Sequence, residues 1–493
     1  MAKKQTIEPS IYWHDYETFG INPKTDRPSQ FAGIRTDLDL NIISEPMMIY
    51  SKPANDFLPD PDACLITGIT PQKTIQDGMP ETIFIQSILD EFSHPNTCVA
   101  GYNSLRFDDE FTRFTLYRNL YPAYDREWQN GNSRWDIIDL VRVTHALRPD
   151  GINWPTHDDG RPSYRLEQLT QSNNLMHEAA HDALSDVLAT ISIAKLIKEK
   201  QPALYDYYFN NRQKRNVVKL LDAQNKKPVL HTSSMFSTDY YCTALIVPLI
   251  QHPTNSNAVI CYDLRYDPHD LLSLPADEIR NRLYTKKQDL PEGQARIALK
   301  TVHLNKCPVI VPAKIDEFVQ NRLSIDKAAS HQHLEQIRNN AELEHKLVEV
   351  FSYDEFDKIS DPDQSLYSGP FFSDRDKRLM EEVHKQDPFS LANKSYDFTD
   401  NRLEEMLFRY RARNYPELLS EEESKKWNLY RYDRLTNENN PWMTTLKFKD
   451  RINELKNDES ISPDKLGLLN ELLSYEVSLI EEIGHLSKQN NIS

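Results

Sequence analysis

"IYWHDYETFG" (residues 11–20) opens apolar and then places two carboxylates, Asp15 and Glu17, one residue apart. Side chains of a β-strand alternate between its faces, so a strand here sends Asp15 and Glu17 one way and His14 and Tyr16 the other. Like charges side by side on an otherwise buried strand need water at that edge or something positive between them. Around this segment, residues 11 to about 200 alternate strand and helix patterns, which reads as an α/β domain. Strands are expected at 11–17, 31–37, 46–51 and 97–102, and helices at 81–92, 106–120, 135–147, 166–173 and 182–198. The last of these ends in lysines, which suit the negative end of a helix dipole.

From about residue 228 to 312 the texture changes. "TALIVPLI", "NAVICYDLRY", "ARIALKTVHL" and "CPVIVPA" are β-rich runs divided by Pro, Asn and Asp, the pattern of a small barrel or sandwich. Helical periodicity returns over 314–351, and the polar "SDPDQS" (360–365) reads as a linker. Beyond it, "RLEEMLFRYRARNYPELL" and "KLGLLNELLSYEVSLIEEI" are amphipathic helices of an acidic C-terminal domain. No internal repeat is visible.

With 493 residues, 39% hydrophobic and 10% aromatic, the chain has room for two to four domains, and its 12 glycines exclude fibrous classes. A net charge of −17 argues against a polyanion binder, because phosphate affinity comes from Lys and Arg. It excludes nothing locally, since a basic groove can coexist with an acidic exterior. The five cysteines (Cys64, Cys98, Cys242, Cys261, Cys307) form no C-x-x-C pair, which fits reduced thiols better than disulfides or zinc. The start "MAKKQTIEPS" lacks an apolar signal core, and "CTALIVPLI" from Cys242 is too short for a bilayer. A cytoplasmic protein with no membrane partner is expected.

Each acidic motif has a bland reading. A D-x-E is common on strands and can be two solvated residues near a strand end. In "GYNSLRFDDEFTRF" (101–114), Asp108, Asp109 and Glu110 can be first-turn acids favoured by the helix dipole. That reading suits Asp109 and Glu110 well, whereas Asp108 follows Asn103 at a strand end and adjoins Phe107, an aromatic able to stack on a base. In "HDALSDVLA", His181 precedes a helix that Asp182 caps, with Asp186 one turn further along the same face.

Together the letters are more specific. The order D-x-E, then a strand–helix Asp, then H-x-A-x-x-D resembles the DEDDh group of 3′→5′ exonucleases, which have a ribonuclease H-like fold. "HDYETFG", "DRPSQFAGIRTD", "ITGITPQ", "GYNSLRFDDE", "NSRWDIIDL", "ALRPDGINWP", "HDALSDV", "NKCPV" and "RYRARNYP" extend the resemblance to the bacterial exodeoxyribonuclease I family over nearly the whole chain. The resemblance implies a ribonuclease H-like exonuclease domain (8–201), an SH3-like β-barrel domain (202–355) and an α-helical C-terminal domain (358–485). It also implies processive 3′→5′ hydrolysis of single-stranded DNA to 5′-mononucleotides in repair and recombination. Two Mg²⁺ ions, replaceable by Mn²⁺, would neutralise the clustered carboxylates and the scissile phosphate. On this reading Asp15 bridges both ions, Glu17 and Asp186 complete one site, and Asp108 holds the second. His181, in a loop that can swing, takes the proton from the attacking water.

The segment "YDREWQNGNSRWDIIDLVRVTHALRP" interleaves aromatics with arginines, a composition that stacks bases and tracks phosphates. Trp135, Asp136 and Asp139 are expected to be structural. By resemblance the DNA contacts are Glu17, Phe107, Arg113, Tyr124, Trp128, Arg142, Arg165, Lys214 and, in "YSGPFFSD", Phe371 or Phe372. Arg148, Lys227 and Arg338 match a basic site for the acidic C-terminal tail of single-stranded DNA-binding protein, although Leu245 replaces an expected aromatic and Glu317 falls near an expected arginine. The family suggests a monomer. An RNA 3′-end-trimming enzyme would share all five active-site letters, and a non-catalytic nucleic-acid-binding scaffold would have lost at least one. None is lost.

Overall fold

The structure is a computed structural model; it describes residues 7–176, 182–352 and 361–489, with side chains to residue 483. The first domain is built on a five-stranded sheet of β1 (Ser10–Thr18), β2 (Pro28–Thr36), β3 (Met47–Tyr50), β4 (Thr97–Gly101) and β5 (Ser133–Asp136), in the order β3-β2-β1-β4-β5. β1 runs antiparallel to β2 and parallel to β4, so the strand that carries the D-x-E lies at the centre. Helices α1 (Pro61–Thr67), α2 (Pro71–Asp77), α3 (Glu81–Phe92), α4 (Asp108–Arg118), α5 (Ile137–Leu147), α6 (Leu166–Ser172) and α7 (Ala183–Lys200) complete it. β1 alternates as its pattern requires. His14 is buried on the face opposite Asp15, between the rings of Phe31 and Phe92, and burial lowers its pKa to about 3.

Helices α8 (Pro202–Asn211) and α9 (Lys214–Leu220) lead into an antiparallel sheet of β6 (Val229–Thr232), β7 (Thr243–Gln251), β8 (Ala258–Asp263), β9 (Leu299–His303) and β10 (Val309–Pro312), ordered β10-β6-β7-β8-β9. Helices α10 (His269–Ser273), α11 (Ala276–Tyr284), α12 (Glu317–Arg322), α13 (Lys327–Arg338) and α14 (Leu343–Phe351) pack on it. Its apolar core is continuous with that of the first domain, from Trp13 and Trp135 through Leu230 and Ile260 to Leu347. The third domain is helical: α15 (Asp374–Lys385), α16 (Pro388–Asn393), α17 (Arg402–Asn414), α18 (Glu421–Thr436), α19 (Thr445–Lys456) and α20 (Pro463–Gln489). No helix among the described residues is long and apolar enough to cross a membrane.

Two expectations need correction. The helix expected over 135–147 starts later, because Trp135 and Asp136 finish β5 and only Ile137–Leu147 is helical. The expected polar linker is not a linker over its described part. Pro362–Gln364 forms a short 3₁₀ turn, and Asp363 is buried there between Arg409 (3.2 Å) and Arg413 (2.6 Å) of α17. The charges that suggested solvent are neutralised by arginines far along the chain.

Candidate active site

Three elements meet at the carboxylates. β1 supplies Asp15 and Glu17 on one face, with an irregularity in the β1–β2 pairing just after Glu17. α7 packs across β1 and β2. Its first turn is fixed by Asp182, whose side chain accepts the Ser185 N–H (3.2 Å), and this turn carries Asp186. Asp15, Glu17 and Asp186 each bring a carboxylate oxygen within 4.8 Å of the other two. Asp108, the first residue of α4, is outside that tight group, but its Oδ1 accepts the Tyr16 N–H between the two strand acids (3.1 Å).

The loop that delivers Asp108 is itself held. Asn103 takes a left-handed conformation (φ 60°) at the end of β4. The buried Asp136 carboxylate then accepts the N–H groups of Asn103 (2.8 Å), Leu105 (3.3 Å) and Ile138 (3.2 Å). Burial, then repulsion from Asp139, raises the Asp136 pKa to about 7.

The electrostatics separate the site from its surroundings. Burial, then the neighbouring Asp108 and Asp186, push Asp15 well above the usual carboxylate range. Burial, then Asp15 and Asp186, push Glu17 up to about 9. Burial also raises Asp108, with Asp109 adding repulsion. Asp109, one residue on, behaves oppositely: it is equally buried, yet Arg126 and Arg134, each at 2.6 Å, hold it well below the usual range. Acids that crowd together in a partly buried cleft, beside a fully compensated one, fit a hard divalent cation, which takes several oxygen ligands. His181 lies outside the described residues.

The expected DNA contacts fall into three groups. Trp128 (64% exposed), Phe371 (83% exposed), Arg165 and Lys214 present themselves to solvent. Phe107 and Tyr124 are half-buried. Arg113 and Arg142 are buried: Arg113 bonds Glu110 (2.8 Å) and Glu127 (2.7 Å), and Arg142 bonds Asp139 (2.7 Å). Between the two adjacent phenylalanines, Phe372 stacks on Tyr117 (5.6 Å, 2°) and is sandwiched by Arg402, while Phe371 projects. The expected partner cations Arg148, Lys227 and Arg338 are all exposed, and Arg338 donates to the Asn225 and Lys226 carbonyls beside Lys227. Leu245 is buried in the sheet opposite Leu230, and Glu317 opens α12.

Sequence reading missed Arg322. Its Nε donates to His145 O (3.0 Å) at the Arg148 end of α5, and its guanidinium lies 3.7 Å from the Tyr241 ring centre. An arginine and an aromatic therefore reach that end of α5 from positions that no motif marked.

Family models for an exonuclease (residues 12–194), the exonuclease I SH3-like domain (212–353) and the exonuclease I C-terminal domain (360–479) match the chain in this order. Exodeoxyribonuclease I of Haemophilus influenzae is 45% identical over 96% of this chain and 99% of that protein. The chain belongs to the exodeoxyribonuclease I family. Among solved members, exonuclease I from Methylocaldum szegediense superposes with a TM-score of 0.92 at 48% identity, covering 96% of this chain and all of that one. Escherichia coli exonuclease I bound to a dA16 oligonucleotide gives 0.92 at 43% identity with the same coverage. The E. coli protein has also been solved as a zinc-bound complex with single-stranded DNA, and an exonuclease I at 42% identity has been solved as SSB/exonuclease I with an inhibitor. The ribonuclease H-like, SH3-like and helical order expected for the exodeoxyribonuclease I family is the order observed.

Proposed function

We propose that this member of the family degrades single-stranded DNA processively from its 3′ end to 5′-mononucleotides, in DNA repair and recombination. The observation that carries the reading is the convergence of Asp15, Glu17 and Asp186 within 4.8 Å, with Asp108 bonded to the backbone between the first two. Its support is 43% identity over 96% of the chain to a relative solved with an oligonucleotide. Asp15, Glu17, Asp108 and Asp186 would hold two divalent cations, Mg²⁺ or in its place Mn²⁺. When bound, the pair supplies charge neutralisation at the scissile phosphate. The chain's own part is to offer carboxylates fixed on strand and helix that would hold the cations in place, and to remove a proton from the attacking water at the His181 imidazole.

Exposed Trp128, Phe371, Arg165 and Lys214, with Phe107 and Tyr124 at the surface's edge, receive the strand by stacking and phosphate contact. Arg113 and Arg142, buried against Glu110, Glu127 and Asp139, would complete the DNA contacts from beneath that surface. We further propose domain limits of 8–201, 202–355 and 358–485, a cytoplasmic monomer, and docking of the acidic tail of single-stranded DNA-binding protein. Arg148, Lys227 and Arg338 would take that tail, with Arg322 and Tyr241 adding a cation and an aromatic at the Arg148 end of α5.

One labelled single-stranded DNA, its RNA counterpart and a duplex, each incubated with Mg²⁺ or with EDTA, test the reading. Mononucleotide release from single-stranded DNA in Mg²⁺ alone is expected. Faster release from RNA would indicate a trimming enzyme, and release from nothing a binding scaffold. Replacing His181 by Ala should lower kcat by about 10²–10⁴-fold while leaving DNA affinity nearly unchanged. An unaltered kcat would remove the base assignment.

A further inference from the structure

The segment that enters the third domain crosses α4, the helix that begins with Asp108. Its Tyr367 hydroxyl donates to Glu110 Oε2 (2.5 Å) and accepts from Arg113 Nη1 (3.1 Å). The ring stands edge-on to Phe114 (5.6 Å, 85°). Arg113 in turn forks onto Glu127 through Nε (2.7 Å) and Nη2 (3.0 Å) and lies over the Tyr124 ring (5.4 Å). Glu127 is shared with Arg134 (2.9 Å), and Arg134 closes the circuit on Asp109 (2.6 Å), next to Asp108. Four residues beyond Tyr367, the exposed Phe371 sets its ring edge-on to Tyr124 (5.8 Å).

We propose that Tyr367 is a positioning residue for the nuclease reaction. It bolts the third domain's aromatic segment to the helix that presents Asp108, so that a strand seated on Tyr124 and Phe371 is held in register with the carboxylates. The inference rests on the exonuclease reading above. Three features favour it over a chance surface contact. The hydroxyl bonds two charged groups at once, and such bonds are roughly twice as strong as neutral ones. Both partners sit on α4 within the first two turns after Asp108. Arg113 is 3% exposed with its bonds directed at carboxylates and Tyr367, so it holds the platform in place.

The test uses the full-length enzyme and Tyr367→Phe, which removes only the oxygen. Turnover of a short oligothymidylate of about four nucleotides and of a long oligothymidylate is measured with Mg²⁺. A trap strand added after binding reports how many nucleotides leave per encounter. The expected result is a melting temperature lowered by no more than a few degrees, a short-strand rate close to wild type, and about a tenfold loss in kcat/KM and run length on the long strand. Glu110→Gln should give a similar long-strand loss, and the double variant little more than either alone, because both act through the shared Tyr367–Glu110–Arg113 contact. Equal losses on both substrates, or additive losses in the double variant, would overturn the proposal. If wild type cleaves neither DNA, the exonuclease reading fails instead, an outcome separate from the failure of Tyr367.

Discussion

At the scale of single residues, the active-site acids are held against their own interest. Asp15 and Glu17 are raised because burial and mutual repulsion disfavour their charged forms. The folded cluster therefore binds protons more tightly than the unfolded chain. That contribution to stability is complete below the ordinary carboxylate pKa and is lost as pH rises toward about 9, the value for Glu17. Without divalent ions, the melting temperature should fall between about pH 5 and pH 9. Added Mn²⁺ should raise it, and more so at the alkaline end, because a cation must displace the retained protons. Calorimetry with and without EDTA checks both. Asp15→Asn should abolish nuclease activity yet stabilise the metal-free protein by about 0.5–2 kcal/mol, in the manner of a functional site relieved of strain. A destabilised Asp15→Asn would show that burial and repulsion of its charge do not strain the folded site. The pairing of Asp15 with Glu17 was legible from the strand's two-residue period. The fate of Asp109 was not: it looks like Asp108 in sequence and differs only because Arg126 and Arg134 close on it from 17 and 25 residues away.

At the scale of elements, Asp136 links three of them: it ends β5, caps α5 and pins the loop into α4. Asp136→Asn keeps one acceptor oxygen and adds a donor facing N–H groups, which should cost about 1–3 kcal/mol. Because the loop sets Asp108, kcat should drop by about tenfold or more with KM nearly constant. Steady-state kinetics beside a melting curve would separate the two effects; a loss of stability with kcat intact would confine Asp136 to folding. The long apolar strands and the helices with clear periodicity were readable in advance. Short α1 and α2 escaped, although each has a capping Asp60 or Thr70 followed by proline, a recognised helix start. Their apolar residues make sense only against the distant third domain. Ile69 and Leu65 pack with Phe448, Ile452 and Leu472, so no local pattern could announce them.

At the scale of the whole molecule, the nuclease domain is gripped from two sides. The SH3-like domain shares its core, and the helical domain adds an apolar seam through Phe19 and Phe57 and an ionic one at Asp56. Asp56 is fully buried. Arg413 at 2.9 Å, together with Arg434, holds its carboxyl well below the usual range despite the opposing effect of burial. Asp56→Ala leaves those guanidiniums without their anion and should cost about 3–5 kcal/mol. Limited proteolysis should then cut between the second and third domains faster than in wild type; an unchanged digestion pattern would mean that the apolar seam alone suffices. Domain order could be read from texture, but these seams could not, since they join residues more than 350 positions apart.

The same double grip has a mechanical corollary. A slab fastened along both flanks has little room to tilt, so the acids it carries should keep their spacing when a filament is dragged across them.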